Sequence, residues 1–403
     1  MTEHRLVNRI LQVHTRYRQA GGEEQVVEAE KRLLENAGAT VSQVIFDNAH
    51  LRESRSVLGD VRLGLSAIWS RSAERRVRAA IVADRPQVVH VHNTFSAASP
   101  SVYAAAAAQG VPVIQTLHNY RFVCPAATAF RDGHACTDCV GRSVPWPGVV
   151  HSCVRGSRPQ SLVAAMTLSV HRARNTFGRA INEYLALTSF QRELMIEGGL
   201  PSQRIRVIPN FLEPDPGVGS ESRNGVVFVG RLAREKGIAP LLDAAVMVPG
   251  VVRVAGAGPL AARAQQAHAA EHIAYLGALT HAGVVDELRH TIALVLPSLW
   301  FEGLPIVVLE AFATGTPVIA SRLGSLAELI DEGVTGLLAE PDNAAELADQ
   351  IRWAIDHPIE MREMGAHARQ QYEARFRGPA HLAALNEVYA RAAHEGRRSE
   401  ARP

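Results

Sequence analysis

Two glutamates and a glycine in the second half of the chain have the types and spacing to bind a ligand that carries both hydroxyl groups and phosphates. In the stretch PSLWFEGLPIVVLEAFATGTPVIA, residues 297–320, Glu302 and Gly303 come just ahead of Pro305, and Glu310 follows Glu302 by eight residues. Carboxylates accept hydrogen bonds from hydroxyls, and a glycine lets a ligand approach the backbone closely. An isolated pair with this spacing is more often a loop glutamate and a solvated helix glutamate. The neighbouring secondary structure is therefore needed to distinguish a ligand site from two solvated side chains.

Those elements predict a helix N-terminus beside the ligand. The apolar run 292–296 is typical of a buried parallel strand, and Pro305 is suited to open the helix that follows. Backbone N–H groups at that end, together with the helix dipole, favour a phosphate oxygen. At about 1.5 Å of rise per residue, Glu302 and Glu310 lie up to roughly 12 Å apart. This separation suits a sugar at one end of a diphosphate and a ribose at the other.

Four segments of the second half resemble the retaining glycosyltransferases of family 4: GRLAREKG, PSLWFEGLPIVVLEA, GTPVIAS and EGVTGLL. The likeness extends, less specifically, over most of the chain. It implies an α/β protein with the GT-B fold, in which two doubly wound parallel-sheet (Rossmann-like) domains face each other across a cleft. It also implies a set of donor-binding residues, namely Arg231, Lys236, Glu302, Gly303, Leu304 and Glu310. We expect Lys236 and Glu310 to be exposed in the cleft.

The chemistry of such a transfer needs positive charge near the leaving group, because a nucleoside diphosphate departs. Isolated surface arginines and lysines are usually only solvated, but Arg231 and Lys236 match the family's phosphate-binding segment, and lysine occurs otherwise only at Lys31. Arg231 directly follows a predicted strand, and we expect Lys236 to open the next helix. No Asp-x-Asp metal site occurs near them, so we expect no cofactor to be required for catalysis. No carboxylate stands out as a nucleophile either. The resemblance implies front-side attack, with the leaving phosphate helping to take the acceptor's proton, and it implies that Arg231, Lys236 and Glu302 take part in catalysis.

The first half alternates predicted strands and helices, which indicates a second parallel sheet. Gly21 and Gly22 lie between the strand NRILQVHT and a helix that ends near Gly38. A tight turn between the strand and the helix is one interpretation of this glycine pair. The resemblance implies the other, a loop that closes over the donor phosphates or meets the acceptor. His92 and His118 each end a predicted strand, where open α/β sheets bind ligands. A lone histidine there is usually structural, but TLHNY matches the segment in which the family has a catalytic histidine that contacts the donor sugar, at His118.

The 403 residues are too many for one compact core, so we expect two domains. Residues 1–209 form the acceptor-side domain, with an insertion at about 121–158 and an amphipathic helix at about 160–182. A Pro-, Gly- and Ser-rich linker follows Asn210, and residues 210–376 bind the nucleotide-sugar. Residues 377–403 form a helix that, by the family resemblance, returns to the first domain, and then a polar tail. The AGAGP segment is a weak match to a dinucleotide-binding motif, because it lacks the third glycine.

The charge of the chain is unevenly divided. Residues 1–209 carry 25 Lys and Arg against 16 Asp and Glu, whereas residues 210–403 carry 17 against 24. Residues 140–182 contain six arginines and no acid, and the region 51–83 is basic and helical in pattern. We therefore expect peripheral docking on an anionic membrane. No apolar run is long enough to span a bilayer, and the N-terminus lacks the apolar core of a signal peptide, so we expect a cytoplasmic protein, on the inner face of the membrane when it docks.

All four cysteines lie in the insertion with the spacing C-x11-C-x2-C-x13-C, at Cys124, Cys136, Cys139 and Cys153. Persistent disulfides are rare in the cytoplasm, and four thiolates can hold a structural zinc ion. We expect such a zinc clamp on the insertion. Four buried thiols without a metal, or a redox pair at Cys136 and Cys139, are the alternatives.

These observations favour a retaining glycosyltransferase that moves a sugar from a UDP-, GDP- or ADP-sugar to a hydroxyl of a glycan or lipid-linked acceptor in polysaccharide or cell-surface glycan synthesis. A phosphorylase or a nucleotide-sugar epimerase with the same fold is the alternative. A zinc-bearing nucleic-acid-binding module is disfavoured because it gives the Lys236 and Glu302 motifs no purpose, so we expect no nucleic acid partner. The sequence indicates neither the base nor the sugar, because backbone groups often read the base, here near residues 276–279.

Overall fold

A computed structural model describes the backbone of residues 7–16, 21–48, 64–95 and 97–400, and side chains as far as residue 394. Within these ranges the chain forms two compact units. The first comprises residues up to 128, 137–209 and those from 381 onward, and the second comprises 129–136 and 210–380.

The first unit is built on a six-stranded, fully parallel sheet with the order β2-β1-β3-β4-β7-β8. Its strands are β1 Arg9–Arg16, β2 Thr40–Asp47, β3 Val88–Val91, β4 Val113–Leu117, β7 Glu183–Ala186 and β8 Ile205–Val207. The helices around it are Gly22–Asn36, Arg71–Asp84, Ser101–Ala107, Trp146–Val150, Arg158–Ala173, Thr176–Ala180, Ser189–Glu197 and Gly378–Glu400. The predicted parallel sheet, in which strands alternate with helices along the chain, is confirmed.

The strand order of this sheet reverses between β1 and β3. The chain leaves β1 toward β2 on one side and continues through β3 and β4 on the other. Ligands of open α/β sheets bind at the carboxyl ends of the strands beside such a reversal. His14 lies near the end of β1, and His92 and His118 directly follow β3 and β4. The three histidines therefore stand at the edge of the sheet where ligands bind in folds of this kind.

The C-terminal helix belongs to the core of the first unit. Leu385, Val388 and Tyr389 are buried in one cluster with Ile10 of β1 and Ile114 of β4. Their positions on the helix follow a spacing of three and four residues, which puts them on one face. Burying that face fixes the helix on the sheet.

The second unit has its own six-stranded parallel sheet, with the order β11-β10-β9-β12-β13-β14. Its strands are β9 Val226–Val229, β10 Val252–Ala255, β11 Ile273–Gly277, β12 Ala293–Leu296, β13 Val318–Ser321 and β14 Gly336–Ala339. Its helices are Ile238–Met247, Ala261–Ala269, His281–His290, Ile306–Ala313, Gly324–Leu329, Ala344–Asp356 and Pro358–Arg375. Here the order reverses between β9 and β12.

The glycines of AGAGP have a packing role. A Cβ atom at Gly256 would lie 1.9 Å from the carbonyl oxygen of Gly230, and one at Gly258 would lie 2.6 Å from that of Leu232. Only glycine lets the loops after β9 and β10 approach this closely. The motif therefore joins two loops, in agreement with its weak match to a dinucleotide-binding motif.

Two helical predictions in the first unit were wrong in detail. The helix expected at 160–182 is two helices, Arg158–Ala173 and Thr176–Ala180, separated at Asn175, whose φ of 49° is left-handed. Asparagine tolerates that conformation and can end a helix there. The basic region 51–83 is described only from residue 64, and it breaks at Ser70, whose hydroxyl caps the helix Arg71–Asp84. Residues 51–63 lie outside the described part of the chain.

The insertion at 121–158 is mostly irregular, as its glycines and prolines indicate. It contains the short helix Trp146–Val150 and a two-stranded antiparallel hairpin, β5 Phe130–Arg131 and β6 His134–Ala135. The hairpin, residues 129–136, is assigned to the second unit rather than to the first. Across the described helices, none combines the length and apolar character that crossing a bilayer requires.

Candidate active site

Two loops of the second unit meet beside the reversal between β9 and β12. The loop after β9 carries GRLAREKG, and the loop after β12 carries PSLWFEG. The backbone N–H of Leu299 donates to the carbonyl of Glu235 at 2.9 Å. Gly237 has a φ of 68°, and a Cβ atom there would lie 1.7 Å from the carbonyl oxygen of Pro297. Glycine at position 237 therefore brings the two motifs together.

An ion pair between side chains of the two loops joins Lys236 and Glu302. The Lys236 Nζ atom lies 2.9 and 3.1 Å from the two carboxylate oxygens of Glu302, and the Ser298 hydroxyl donates to one of them at 2.6 Å. Glu302 is 4% exposed, whereas the side chain of Lys236 retains 21% of its exposure. Two residues that the sequence assigns to one ligand are thus paired with each other, and the ammonium group stays within reach of solvent.

The turn that carries the lysine differs from the prediction. Lys236 was expected to open a helix, but it ends a 3-10 turn, Arg234–Lys236, and the helix begins at Ile238. The left-handed Gly237 separates the two elements and cannot continue a helix. Arg231 is half exposed and pairs with Glu235 on the same turn. Three cationic side chains, those of Arg231, Arg234 and Lys236, therefore lie on one short segment.

The helix Ile306–Ala313 begins as predicted, with Pro305 at its N-cap. Glu302 and Gly303 precede it, so their backbone stands at the positive end of the helix dipole. Leu304 is buried, and its carbonyl accepts a hydrogen bond from the Asn210 side chain at 3.1 Å. The Leu304 side chain therefore packs inside the unit, which leaves the backbone N–H groups of this segment as its means of contacting a phosphate.

Glu310 lies on the second turn of that helix and is 5% exposed. We expected both Glu310 and Lys236 to be exposed, and for Glu310 this was wrong. Its Oε1 atom lies 3.0 Å from Nδ1 of His281, whose side chain is 60% exposed. Burial raises the pKa of the Glu310 carboxyl, and His281 opposes that rise. Sequence reasoning missed His281, because the segment LTHAG carries no signal for such a contact.

In the first unit, His92 and His118 touch at the ligand-binding edge of the sheet. The His92 Nδ1 atom lies 3.1 Å from the His118 Nε2 atom, and the rings are stacked with centroids 5.3 Å apart. Burial, with the neighbouring histidines, lowers the pKa of His92 below its usual value and that of His118 well below. Both imidazoles are therefore neutral at pH 7.

Behind these histidines lies Glu30, a carboxylate that is 2% exposed. Its Oε1 atom lies 3.0 Å from the Gln12 amide nitrogen, 2.9 Å from His90 Nδ1 and 3.4 Å from His92 Nε2, and its Oε2 atom lies 3.5 Å from His381 Nε2. Burial opposes ionisation, but His90, His92 and His381 hold the pKa of Glu30 well below its usual range. Glu30 was also missed, although it falls on the buried face of its helix with Val26, Val27 and Leu34.

Glu30, His90 and His92 have ligand atoms within 4.8 Å of one another, the one such group of three in the part of the chain that the structure describes. The oxygen that a metal ion would take already accepts a hydrogen bond from Gln12. The His90 Nδ1 atom is also 2.8 Å from the Tyr389 hydroxyl. The Gln12 N–H donor aimed at the carboxylate oxygen favours a hydrogen-bonded carboxylate over a metal site.

Two further sequence predictions concern the glycine pair at Gly21 and the four cysteines. Gly21 is the N-cap of the helix Gly22–Asn36, and its N–H donates to the Glu24 carboxylate at 2.8 Å. The preceding residues 17–20 lie outside the described part, so the loop over the donor stays a prediction. The four cysteines are thiols, of which Cys139 is buried and the others half-buried. Cys136 is assigned to the second unit and the other three to the first, so the zinc clamp also stays a prediction.

Comparison with known proteins gives consistent matches to both units. Residues 215–371 match the family model of glycosyl transferases group 1, and residues 21–210 match that of the glycosyl transferase 4-like domain. Glycogen synthase of Mycobacterium tuberculosis is 28% identical over 261 residues, which are 61% of this chain and 63% of that protein. The D-rhamnosyltransferase WbpZ of Pseudomonas aeruginosa is 34% identical over 155 residues, 37% of this chain and 41% of that one. The chain thus spans less than two thirds of the length of these relatives.

Solved structures show the fold more completely. Sucrose-phosphate synthase from Thermosynechococcus elongatus has a TM-score of 0.70 at 16% identity, over 95% of this chain and 99% of that chain. Anabaena HepE in complex with UDP and glucose has a TM-score of 0.67 at 16% identity, over 94% and 99%. At such low identity these similarities establish the fold alone, which is that of the GT-B glycosyltransferases.

Proposed function

Because the chain belongs to the group 1 glycosyltransferases and has the GT-B fold, we propose that it transfers a sugar from a nucleotide-sugar donor to a hydroxyl of a glycan or lipid-linked acceptor, with retention of configuration. The transfer serves polysaccharide or cell-surface glycan synthesis. The observation that carries the proposal is the Lys236–Glu302 pair beside a helix N-terminus. One partner suits a phosphate and the other suits sugar hydroxyls.

Donor binding exchanges the partners of this pair. The Lys236 ammonium leaves Glu302 for a diphosphate oxygen, and the Glu302 carboxylate, still held by Ser298, accepts hydrogen bonds from the sugar. Arg231 changes partner from Glu235 in the same way, and Glu310 accepts from the ribose. These cations and the helix N-terminus stabilise the charge that develops on the leaving diphosphate. We therefore propose that no divalent ion is required for catalysis.

The stereochemistry follows from front-side attack in this proposal. The acceptor oxygen attacks the anomeric carbon on the face from which the diphosphate departs, and its proton passes to the leaving phosphate oxygen. The bond from the anomeric carbon to the diphosphate breaks as the new glycosidic bond forms. A freshly formed product whose anomeric configuration is inverted, read by NMR spectroscopy, would refute retention.

We also propose that one face of the first unit docks on anionic membrane. Five apolar side chains of the insertion and the helix Arg158–Ala173 are 44–56% exposed: Val144, Trp146, Val150, Leu162 and Met166. Five of the six arginines of this acid-free segment are exposed as well, namely Arg142, Arg155, Arg158, Arg174 and Arg179. The sixth, Arg172, instead donates to the carbonyl of Phe122. Exposed apolar groups among cationic ones favour an anionic lipid surface. The cytoplasmic location stays a prediction.

Calorimetric titration with UDP, GDP and ADP tests the proposal and identifies the base. The solved HepE complexes contain UDP and UDP-glucose, which supports UDP as the first nucleotide to try. Lys236→Ala should weaken binding of the preferred nucleotide by about 1.5 to 3 kcal/mol, because a charged contact to phosphate is lost. The matched control is Lys31→Ala, the chain's other lysine, which pairs with Glu35 on a surface helix.

The proposal fails if none of the three nucleotides binds, or if Lys236→Ala binds like Lys31→Ala. Two reactions distinguish the alternative enzymes. A phosphorylase cleaves a disaccharide only when inorganic phosphate is present, and an epimerase converts the sugar nucleotide when no acceptor is present. Transfer that needs an acceptor and releases a nucleoside diphosphate excludes both.

A further inference from the structure

Three side chains of the first unit form a continuous line from the core to the ligand-binding edge of the sheet. Glu30 lies at the buried end, His92 in the middle and His118 at the edge. The Glu30 Oε1 atom is 3.4 Å from His92 Nε2, and the His92 Nδ1 atom is 3.1 Å from His118 Nε2. Each histidine thus turns one ring nitrogen toward the carboxylate and the other away from it.

The identity of the buried end fixes where the protons lie. An ionised carboxylate only accepts hydrogen bonds, and a neutral imidazole has one N–H donor and one acceptor nitrogen. The His92 Nε2 atom is buried and has no well-aligned hydrogen bond among the described residues, and the Glu30 Oε1 atom lies 3.4 Å from it. Placing the His92 proton on Nε2 directs it at the carboxylate. The Nδ1 atom of His92 is then an acceptor.

The same logic determines the proton on His118. Because the His92 Nδ1 atom accepts, the His118 Nε2 atom at 3.1 Å must donate to it. The single proton of the neutral His118 ring is then on Nε2, and its Nδ1 atom carries a lone pair. Burial keeps both rings neutral, so no second proton is available to reverse the arrangement.

We propose that Glu30 is a positioning residue that acts through His92 to fix the tautomer of His118, so that the His118 Nδ1 atom accepts a hydrogen bond from a donor-sugar hydroxyl. The identity of that hydroxyl rests on the proposed function, but the tautomer does not. A lone pair fixed in advance orients the sugar without rearrangement during the reaction. In the other tautomer an N–H would face the hydroxyl, and the hydroxyl proton would need another acceptor.

The surroundings of Glu30 explain how it can hold this role. His90 lies between Glu30 and two hydroxyl groups. Its Nδ1 atom is 2.9 Å from the Glu30 carboxylate and 2.8 Å from the Tyr389 hydroxyl, and its Nε2 atom is 2.7 Å from Oγ1 of Thr116. Gln12 in β1 donates to the same carboxylate oxygen. The carboxylate is therefore anchored from β1, β3 and the C-terminal helix, and it cannot turn away from His92 without breaking these contacts.

Nitrogen NMR spectroscopy of the full-length, ligand-free protein tests the tautomer directly. Two-bond ¹H–¹⁵N correlations distinguish a protonated ring nitrogen from a bare one, and comparison with His118→Ala assigns the signals. The parent protein should show His118 protonated on Nε2. Glu30→Gln should give a mixture of tautomers or protonation on Nδ1, and Glu30→Asp, which keeps the charge, should restore much of the parent pattern.

Thr116→Val is the matched control. It removes one hydrogen bond from the same buried network, but on the His90 branch, so the His118 tautomer should not change. If Glu30→Gln does not fold, His92→Phe tests the line at its centre, because it keeps a ring at that place and removes the acceptor. An Nε2-protonated His118 in Glu30→Gln or in His92→Phe would overturn the proposal.

A kinetic measurement separates this proposal from the proposed function. Release of nucleoside diphosphate from the sugar nucleotide of the preferred base, with water as acceptor, should slow about 10- to 100-fold in kcat for Glu30→Gln. Its KM should change less than about threefold, since an orienting partner acts mainly on the chemical step. A changed tautomer with unchanged kcat in both Glu30→Gln and His118→Ala would support the positioning role and overturn the sugar contact. An unchanged tautomer with a lowered kcat would overturn the positioning role and leave the sugar contact supported.

Discussion

Replacing His14 should remove a defined part of the protein's sensitivity to acid. His14 is 1% exposed in β1, and neither ring nitrogen makes a hydrogen bond among the described residues. Burial, with smaller effects of the His92 and Arg16 charges, lowers its pKa from 6.5 to about 3. In the unfolded chain the same imidazole has its ordinary pKa. Below pH 6.5 the unfolded state therefore binds a proton that the folded state does not.

The sign and size of the effect follow from that difference. Stability rises with pH wherever the unfolded state binds more protons, so this contribution is complete above pH 6.5 and is lost as the pH falls from 6.5 toward 3. Between pH 7.5 and pH 5.0 the linkage relation gives a loss of about 2 kcal/mol from His14 alone. The result is insensitive to the folded pKa, because at pH 5.0 a folded pKa of roughly 3 or 4 leaves the ring almost entirely neutral.

The assay compares urea unfolding of the parent and His14→Leu at both pH values. The loss of free energy of unfolding between pH 7.5 and 5.0 should be smaller by about 2 kcal/mol in the variant. Taking the difference between the two pH values cancels any constant cost of repacking leucine. At pH 7.5 the variant should be no less stable than the parent apart from that cost, because it removes two buried ring nitrogens that make no hydrogen bond among the described residues; the Nδ1 atom lies 3.7 Å from the Glu23 carboxylate.

The control is His394→Leu, at an exposed position on the C-terminal helix of the same unit. It should leave the difference between the two pH values as in the parent. The reasoning is refuted if His14→Leu loses as much stability on acidification as the parent, or if the ring-proton signals of His14 titrate near pH 6.5 in the folded protein.

Three further predictions concern the proposed sites. Glu310→Ala should weaken the preferred nucleoside diphosphate by about 1.5 to 3 kcal/mol in calorimetry, whereas Glu363→Ala, at an exposed position of the same unit, should not; equal affinities would contradict the ribose contact. Sedimentation with anionic liposomes should fall with rising salt and in Trp146→Ser/Met166→Ser, but not in the control Val246→Ser/Met247→Ser, whose side chains are similarly exposed in the second unit; binding indifferent to lipid charge and salt would exclude electrostatic docking. Elemental analysis of protein prepared without chelators should find about one zinc per chain and less in Cys139→Ser, and fully active metal-free protein would rule out the clamp.

The sequence predicted those parts of the fold that local patterns encode. The apolar run 292–296 marked β12, and Pro305 marked the start of the helix that follows it. The alternation of strands and helices was enough to indicate two parallel sheets. Family resemblance then selected Lys236 and Glu302 from among many surface charges, although it could not show that they pair with each other across 66 positions of the chain.

What could not be predicted depends on contacts between distant segments. Glu30 shares its helix face with apolar residues, which was a visible signal, but its partners come from β3 and the C-terminal helix. His281 meets Glu310 because two helices of the second unit lie side by side. The hairpin at 129–136 belongs to the insertion by its position in the sequence. In the structure it belongs to the second unit, where Arg234 donates to the carbonyl of Asp132. No local pattern contains any of these pairings.

The pairing of Lys236 with Glu302 has a consequence for which ligands the proposed donor site accepts. A largely buried carboxylate that loses its ion-pair partner loses stabilisation, and here the loss is reduced because Lys236 is partly solvated and Ser298 still donates to Glu302. A ligand that offers only phosphate takes Lys236 and leaves the Glu302 carboxylate, which is 4% exposed, with Ser298 as a remaining donor. A sugar without a diphosphate takes Glu302 and leaves the Lys236 ammonium without its carboxylate partner. A nucleotide-sugar satisfies both groups at once, so the pair favours the complete donor over either of its parts, and departure of the diphosphate with transfer of the sugar lets the pair form again.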